Sequence, residues 1–324
     1  MTIETSEIKS GSDLSCQASL DHSLKESELL KTFDQFVKNG LVQYDYSFTT
    51  EIRLINGIRV SYHSSFISYF DANFIPKFEF RISKALQHKP STVHESVTQN
   101  LAKLKPRPGS DINTIGTELC TLGEAHVLAF NGFSSYRPHY LIITADGYKK
   151  QREPLDIQDF RAIREFLDNN DYLVFYNCKP EASCSRDHKH LQAIPKSSFD
   201  GEPWFNLDHS RDALPFIFYE RKFTQEPTAD AMSEVYNEGL QQVERSLGLK
   251  TTEEDGAPPH NMVMDKERMF MVPRRKAGIG RLGANSCNML GMIQVKSEEA
   301  MHEWIEAGPD KIMAVGGVPK PDDI

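Results

Sequence analysis

The run HKHLQAI, residues 188–194, places His188, His190 and Gln192 at every second position. On a β-strand alternate side chains share a face, so these three would point one way while Lys189 and Leu191 point back. On a helix each residue turns about 100°, and the two histidines would diverge by roughly 200°. The strand reading gathers chemistry on one surface, and it sets terms for the surrounding chain. Short apolar runs of strand length recur around it: HVLAF (126–130), HYLIIT (139–144) and YLVFYN (172–177). The segment NGFSSYRP between the first two suits a wide hairpin. Asn56-Gly57 within IRLINGIRV (52–60) signals a tight hairpin, and FEFRI (78–82) alternates as a strand does. NMVM (261–264) and MFMV (269–272) predict another hairpin, and MLGMIQV (289–295) a further strand.

Helical periodicity is confined to a few segments. Residues 27–39 carry Leu29, Leu30, Phe33, Phe36 and Val37 on one face, with Gly40 as a stop. Asp156 can cap a helix running to about Asn169. Residues 229–247 predict a helix ended by Gly248, and Ser297 a last helix closed by Gly308-Pro309. Residues 88–116 read as a surface loop, 195–227 as a connection and 250–259 as a linker. Hairpins with interspersed helices, rather than βαβ alternation, predict an α+β fold of antiparallel sheets with packed helices. The expected organisation is a disordered tail over 1–22 and two closely associated units, 23–203 and 204–324.

Composition narrows the partners. A formal net charge of −9 argues against a nucleic-acid binder, which needs a basic face. Five cysteines without a C-x-x-C pair argue against a disulfide framework and fit a reducing, cytoplasmic or nuclear setting. No apolar run approaches the ~20 residues of a membrane helix, so no membrane partner is expected. Nothing in the sequence speaks to oligomeric state.

A bare H-x-H admits three readings. It can chelate a metal, with Cys178 or Cys184 as a further ligand, although zinc wants at least three protein ligands and Gln is a poor one. It can be an ordinary strand with surface histidines. Or one imidazole can attack phosphorus and form a phosphoramidate, splitting a hard transfer into two easier ones. That chemistry needs an acceptor for the other ring nitrogen, and donors for the charge on the phosphoryl oxygens, a task Gln192 can perform.

The upstream loop bears on the choice. NCKPEASCSRDHKHLQ (177–192) resembles the N-x(10)-H-x-H-x-Q region of the transferase branch of the histidine-triad superfamily. Within that branch it is most similar to the fungal diadenosine tetraphosphate phosphorylases, also called ATP adenylyltransferases. FEFRISKALQHKP (78–90), HVLAFNGFSSYRPHYLIIT (126–144), REPLDIQDF (152–160), NMVMDKERMFMVPRR (261–275) and GANSCNMLGMIQV (283–295) carry the likeness over roughly residues 30–315. The resemblance implies a histidine-triad-like catalytic unit followed by an ATP adenylyltransferase-like unit. It implies that His190 becomes nucleotidylated and that His188 helps orient the site. Gln192 stands where hydrolytic relatives keep a third histidine, which fits transfer to an acceptor other than water. Ser185 and Lys89 match phosphate-contacting residues, Asn177 an asparagine that orients the strand or phosphate, and Asn131 the asparagine of the strand–loop–strand. The implied ligands are a small-molecule nucleotide and an anionic acceptor. Mg²⁺ would neutralise the polyphosphate, and no organic cofactor is implied. Two further outcomes stay open: the same scaffold acting on another nucleotide or a non-phosphate substrate, or nucleotide binding without turnover.

The chain departs from the family pattern in its loop. Close relatives read approximately G-P-H-S-G-A-S-Q where this chain has residues 179–186, so Lys179 and Ser183 replace glycines. Glycine at such positions implies positive φ or close approach of backbone to ligand. A side chain at Ser183 is expected to narrow the cradle and Glu181 to repel phosphate, against which Lys179 and Arg186 would supply charge. Gly132 follows Asn131 where relatives often carry Lys. GIGRLG (278–283) satisfies G-x-G-x-x-G but lacks a βαβ unit, and reads as a loop. Arg274, Arg275, Lys276 and Arg281 form a basic cluster, either a solvated turn or a clamp for distal phosphates or the acceptor. Arg274 and Arg275 are the candidates for the clamp. His126, His139 and His260 are expected to serve structure or lie at the surface.

Overall fold

The computed structural model describes residues 26–46, 50–55, 58–63, 66–70, 78–87, 106–168, 170–198 and 214–320. The expected tail over 1–22, the Asn56-Gly57 turn and Lys89 lie outside them. In chain order, α1 (Glu26–Lys38) precedes the strands β1 (Thr50–Ile55), β2 (Ile58–His63), β3 (Phe66–Phe70) and β4 (Phe78–Ile82). Next come β5 (Glu118–Leu122), β6 (His126–Phe130), β7 (Tyr140–Thr144), α2 (Ile157–Leu167), β8 (Tyr172–Cys178) and β9 (His190–Pro195). After them follow β10 (Tyr219–Lys222), α3 (Ala229–Leu247), β11 (His260–Met264) and β12 (Arg268–Pro273). The chain closes with β13 (Gly278–Ile279), β14 (Leu282–Gly283), α4 (Ser286–Met289), β15 (Met292–Val295), α5 (Glu298–Ala307) and α6 (Pro309–Gly316).

Among the described residues the strands form an eight-stranded sheet, β10-β12-β11-β8-β9-β7-β6-β5, and a five-stranded sheet, β1-β2-β3-β4-β15. All pairings are antiparallel except β15 with β4. The large sheet runs across residue 203, since β10, β11 and β12 extend it beyond β8. The small sheet does the same, because β15 lies beside β4. Strand alternation splits the core in two. Val174, Tyr176, Leu191, Ala193, Met262 and Met271 face α1, α2 and α3. Leu173, Phe175, Ile194, Val263 and Phe270 face the small sheet and the C-terminal helices, where Phe80, Ile293 and Trp304 close the packing.

The α+β expectation holds, with local differences. β9 begins at His190, and His188 stands just before it in an isolated bridge with Lys150. The expected connection over 195–227 contains β10. GIGRLG is a two-stranded hairpin, β13 with β14, rather than a loop. Gly308-Pro309 closes α5 and also opens α6, because Pro is well suited to a first helical turn. Among the described residues no helix is long and apolar enough to cross a membrane.

Candidate active site

β9 carries the site on one face. Its Leu191 and Ala193 enter the helical core while Ile194 faces the other way, so His190 and Gln192 share the face of Ile194. Asn177 on β8 and Asn261 on β11 lie on that face, opposite each other in register. His139 and Asn131 flank the β6–β7 connection, where the Asn131 N–H donates to His139 O at 2.8 Å. A strip of polar side chains thus crosses five strands.

The two histidines of the motif hold opposite tautomers. Nδ1–H of His190 donates to the carbonyl of His188 at 2.8 Å, which leaves the lone pair on Nε2. His190 is 7% exposed and His188 fully buried. Nε2 of His188 lies 3.0 Å from the Asp146 carbonyl, which can only accept, so the proton is there. Its Nδ1 then accepts from Ser110 Oγ at 2.7 Å. Thr144 Oγ1 lies 2.9 Å from Nε2. Burial pushes the His188 pKa down, which favours the neutral ring. Both ring nitrogens of His188 are thus used within the protein, so it orients the strand rather than meeting substrate. This also removes H-x-H chelation. The thiol of Cys184 is pushed up to about 12 by burial and by the charges of Asp187, Glu181 and Asp111, and burial does the same to Cys178. Neither is a ready thiolate.

Gln192 is oriented by a residue with no role assigned from sequence. Nε2–H of His139 donates to Gln192 Oε1 at 3.0 Å, and Asn131 Nδ2 reaches the same oxygen at 3.5 Å. With its carbonyl held, the amide of Gln192 presents N–H donors, which is what a developing phosphoryl charge requires. His139 is buried beside Tyr136 and Phe175.

The back of β9 is anchored by charge. Lys189 Nζ lies 2.5 Å from Asp159 Oδ2, and His126 Nε2 lies 2.8 Å from Asp159 Oδ1. All three are buried. Burial alone would raise the Asp159 pKa, but the His126 hydrogen bond and the Lys189 charge hold it below the usual carboxylate value. His260 is buried as well; burial lowers its pKa to about 4, and its ring bridges Pro258 O and Tyr236 Oη. His126 and His260 therefore serve the protein's own packing, whereas His139 reaches the site through Gln192.

The loop between β8 and β9 keeps the backbone of a glycine loop without its glycines. Lys179 has φ 72° and ψ 164°, and Ser183 φ 60° and ψ 35°. They are the non-glycine residues with positive φ among those described. Glu181, between them, has a carboxylate oxygen out of solvent without a hydrogen-bond partner. Ser185 is exposed, and its carbonyl accepts from Arg186 Nη1 at 2.9 Å, so Arg186 folds back on its neighbour. Asp111 receives the N–H groups of Asp187 and His188 at 2.8 and 2.9 Å and ties the loop's end.

The residues after 204 support this loop. Asn177 Oδ1 accepts from Asn261 Nδ2 at 2.8 Å and from the N–H and hydroxyl of Ser286 at 2.9 and 2.7 Å. Asn261 Nδ2 also donates to Ala182 O at 3.0 Å. Arg274 corrects the expected phosphate clamp. It is fully buried, and its N–H groups donate to Gly316 O, Lys276 O, Ala277 O, Ala284 O and Asn261 Oδ1. Burial lowers its pKa to about 9. No donor of Arg274 remains for a ligand, so it organises the turn behind the loop. Arg275 is exposed, with its N–H on Gly316 O. Among the described residues no cluster of His, Cys, Asp and Glu is placed to hold a metal ion.

His139, Ser110, Asp111, Asn261 and Ser286 join the site through long-range contacts that no local spacing announces. The available signal was the family likeness of the segments 126–144, 261–275 and 283–295, which contain His139, Asn261 and Ser286; Ser110 and Asp111 lie outside every such segment.

Comparison with known proteins agrees with this architecture. Residues 72–208 match the Ap4A phosphorylase N-terminal domain, and residues 212–319 the ATP adenylyltransferase C-terminal domain. The chain is 26% identical over 233 residues to diadenosine 5′,5‴-P1,P4-tetraphosphate phosphorylase 2 of Saccharomyces cerevisiae, covering 62% of this chain and 71% of that one. It is 27% identical over 213 residues to protein APA1 of the same organism, covering 56% and 65%. In fold it is similar to the crystal structure of yeast Ap4A phosphorylase Apa2, at TM-score 0.59 and 19% identity, over 90% of this chain and 97% of that one. The complex of that protein with Ap4A gives TM-score 0.59 at 20% identity, with the same coverage. The chain belongs to the Ap4A phosphorylase/ATP adenylyltransferase family.

Proposed function

We propose that the chain transfers a nucleotidyl group by way of His190, with phosphorolysis of diadenosine tetraphosphate to ADP and ATP as its reaction. Nε2 of His190 attacks the α-phosphorus. The N–P bond forms as the P–O bond to the rest of the chain breaks, and the departing oxygen takes the electron pair and leaves as ATP. Phosphate then attacks the same phosphorus, the N–P bond breaks, and ADP leaves. The N–H of Gln192 meets the charge that grows on the non-bridging oxygens in both steps. The ring keeps its Nδ1 proton on the His188 carbonyl throughout, which supports the positive charge of the nucleotidyl-imidazole. The observation that carries this reading is that hydrogen bond, since it puts the ring proton on Nδ1 and the lone pair on Nε2. The relatives named as phosphorylases of this substrate support the choice of nucleotide. A Mg²⁺ ion, if required, would accompany the polyphosphate.

The test uses diadenosine tetraphosphate labelled at the α-phosphate, with phosphate omitted. Label that is acid-labile, maps to His190 and leaves as ADP on adding phosphate is expected, and His190→Ala should lose it. Binding by calorimetry with no label on His190 would leave a nucleotide-binding protein without turnover. A second reading keeps the chemistry but changes the nucleotide or leaving group, and the partnerless carboxylate oxygen of Glu181 favours it. A panel of nucleoside polyphosphates ranked by kcat/KM separates the two.

A further inference from the structure

The β8–β9 ladder ends short of the nucleophile. Its register runs from Tyr172 opposite Pro195 to Phe175 opposite Gln192. Continued, it would set Asn177 opposite His190. At that point the side chain of Gln151 stands between the strands. Its Nε2 donates to Asn177 O at 3.1 Å and to His190 O at 3.0 Å, and its Oε1 accepts from His190 N at 2.8 Å. We propose that Gln151 is a positioning residue for the nucleophile: its amide replaces the missing ladder and fixes the peptide of His190, resting on the reading of His190 as the attacking group.

The amide has one workable orientation. Two carbonyls face one end and an N–H faces the other, so the NH₂ and the oxygen cannot exchange. The residue is itself immobilised. Its N–H donates to Asp187 O at 2.6 Å, its carbonyl accepts from Tyr176 Oη at 2.6 Å, and it is 2% exposed. It therefore acts as a fixed wedge. It holds β8 and β9 apart where the 179–187 loop leaves and rejoins the sheet, and it holds both peptide groups of the residue that must be aimed. A nucleophile displaced by about 1 Å can lose on the order of 100-fold in rate. Gln151 reaches backbone only, so its effect belongs in kcat rather than in KM.

Glutamate is nearly isosteric with glutamine but reverses one end. A carboxylate at 151 would set a negative oxygen against the carbonyls of Asn177 and His190, whereas the protonated acid restores one donor. The experiment measures the rate of α-phosphate labelling of His190, with kcat and KM, for the wild type and Gln151→Glu from pH 8 down to pH 5. Gln151→Glu is expected to be slower than the wild type by at least about tenfold at pH 8, with KM nearly unchanged. The deficit should shrink as the pH falls. A wild-type rate in Gln151→Glu at pH 8, or a deficit that does not change with pH, overturns the proposal. If Gln151→Glu does not keep a native circular dichroism spectrum, Gln151→Asn carries the test. It keeps an amide too short to bridge both strands, and a wild-type kcat there overturns the proposal. Absence of label in the wild type itself overturns the nucleophile, and the proposal with it.

Discussion

Lys179 and Ser183 put a price on the loop that precedes the nucleophile. Both occupy positive φ, and Lys179 at ψ 164° sits in a region that is nearly glycine's alone. Such conformations cost about 1–3 kcal/mol each, against roughly 0.5–1 kcal/mol of extra chain entropy that a glycine would bring. Lys179→Gly is therefore expected to stabilise the protein by about 1 kcal/mol, and Ser183→Gly by less, as shifts of the urea midpoint at constant slope. A lower midpoint for Lys179→Gly would mean that the side chain does more than relieve strain could return. These two positions were legible in the sequence, because replaced glycines mark required backbone angles. The shared face of His190 and Gln192 was legible for the same kind of reason, since period two is a local property, whereas His188 stands before β9 with its ring on Ser110 and Asp146. What was not legible is where neighbours in sequence part company. Arg274 and Arg275 look alike in a basic cluster, yet one enters the core and the other the solvent, as successive residues leaving β12 must. Nothing local marks Gln151 or His139 either, because their partners lie across the sheet.

β9 is held from both faces, and the polar anchor on its back is a buried ion pair. Removing one member takes the nearest opposite charge from the other, leaving Asp159 with His126 and Lys189 with the Pro154 carbonyl and the more distant Asp156; breaking a buried pair typically costs about 3–5 kcal/mol, while replacing both is milder. Lys189→Met and Asp159→Asn should each fall in that range by urea unfolding at pH 7. The double variant should cost less than their sum by at least about 1 kcal/mol. Strict additivity would show that the two side chains do not support β9 as a unit. Most elements were legible, because their cues are local: Asp156 caps α2 with a capping box, and Gly248 ends α3 in the left-handed conformation. β5 was missed since ELCTL alternates weakly and its pairing with β6 shifts register between Glu118 and Cys120. α6 was missed because Gly-Pro ends one helix and begins another with the same residues.

The two halves of the chain share their sheets, so neither buries its core alone. β8 would expose an edge without β11, and β4 without β15. His260 adds a polar tie between them. Nδ1–H donates to Pro258 O at 2.7 Å, and Nε2 lies 3.1 Å from Tyr236 Oη, which in turn receives the N–H of Leu155 before α2 at 3.2 Å. A shared core predicts one cooperative transition, with far-ultraviolet circular dichroism and tryptophan fluorescence coinciding in urea. The same tie predicts a pH dependence of that single transition. The folded pKa of His260 is about 4 against an ordinary 6.5, so between these values the unfolded chain holds a proton that the folded chain does not. Stability must then fall as the pH falls, by about 2–3 kcal/mol from this group between pH 7 and pH 4.5. His260→Asn should lower stability at pH 7 but flatten its dependence on pH by close to one proton over that interval, for both probes alike. If the slope of His260→Asn matches that of the wild type, the ring is not kept neutral by the fold. If the two probes separate on acidification, the halves unfold apart and the shared sheets do not make one cooperative molecule.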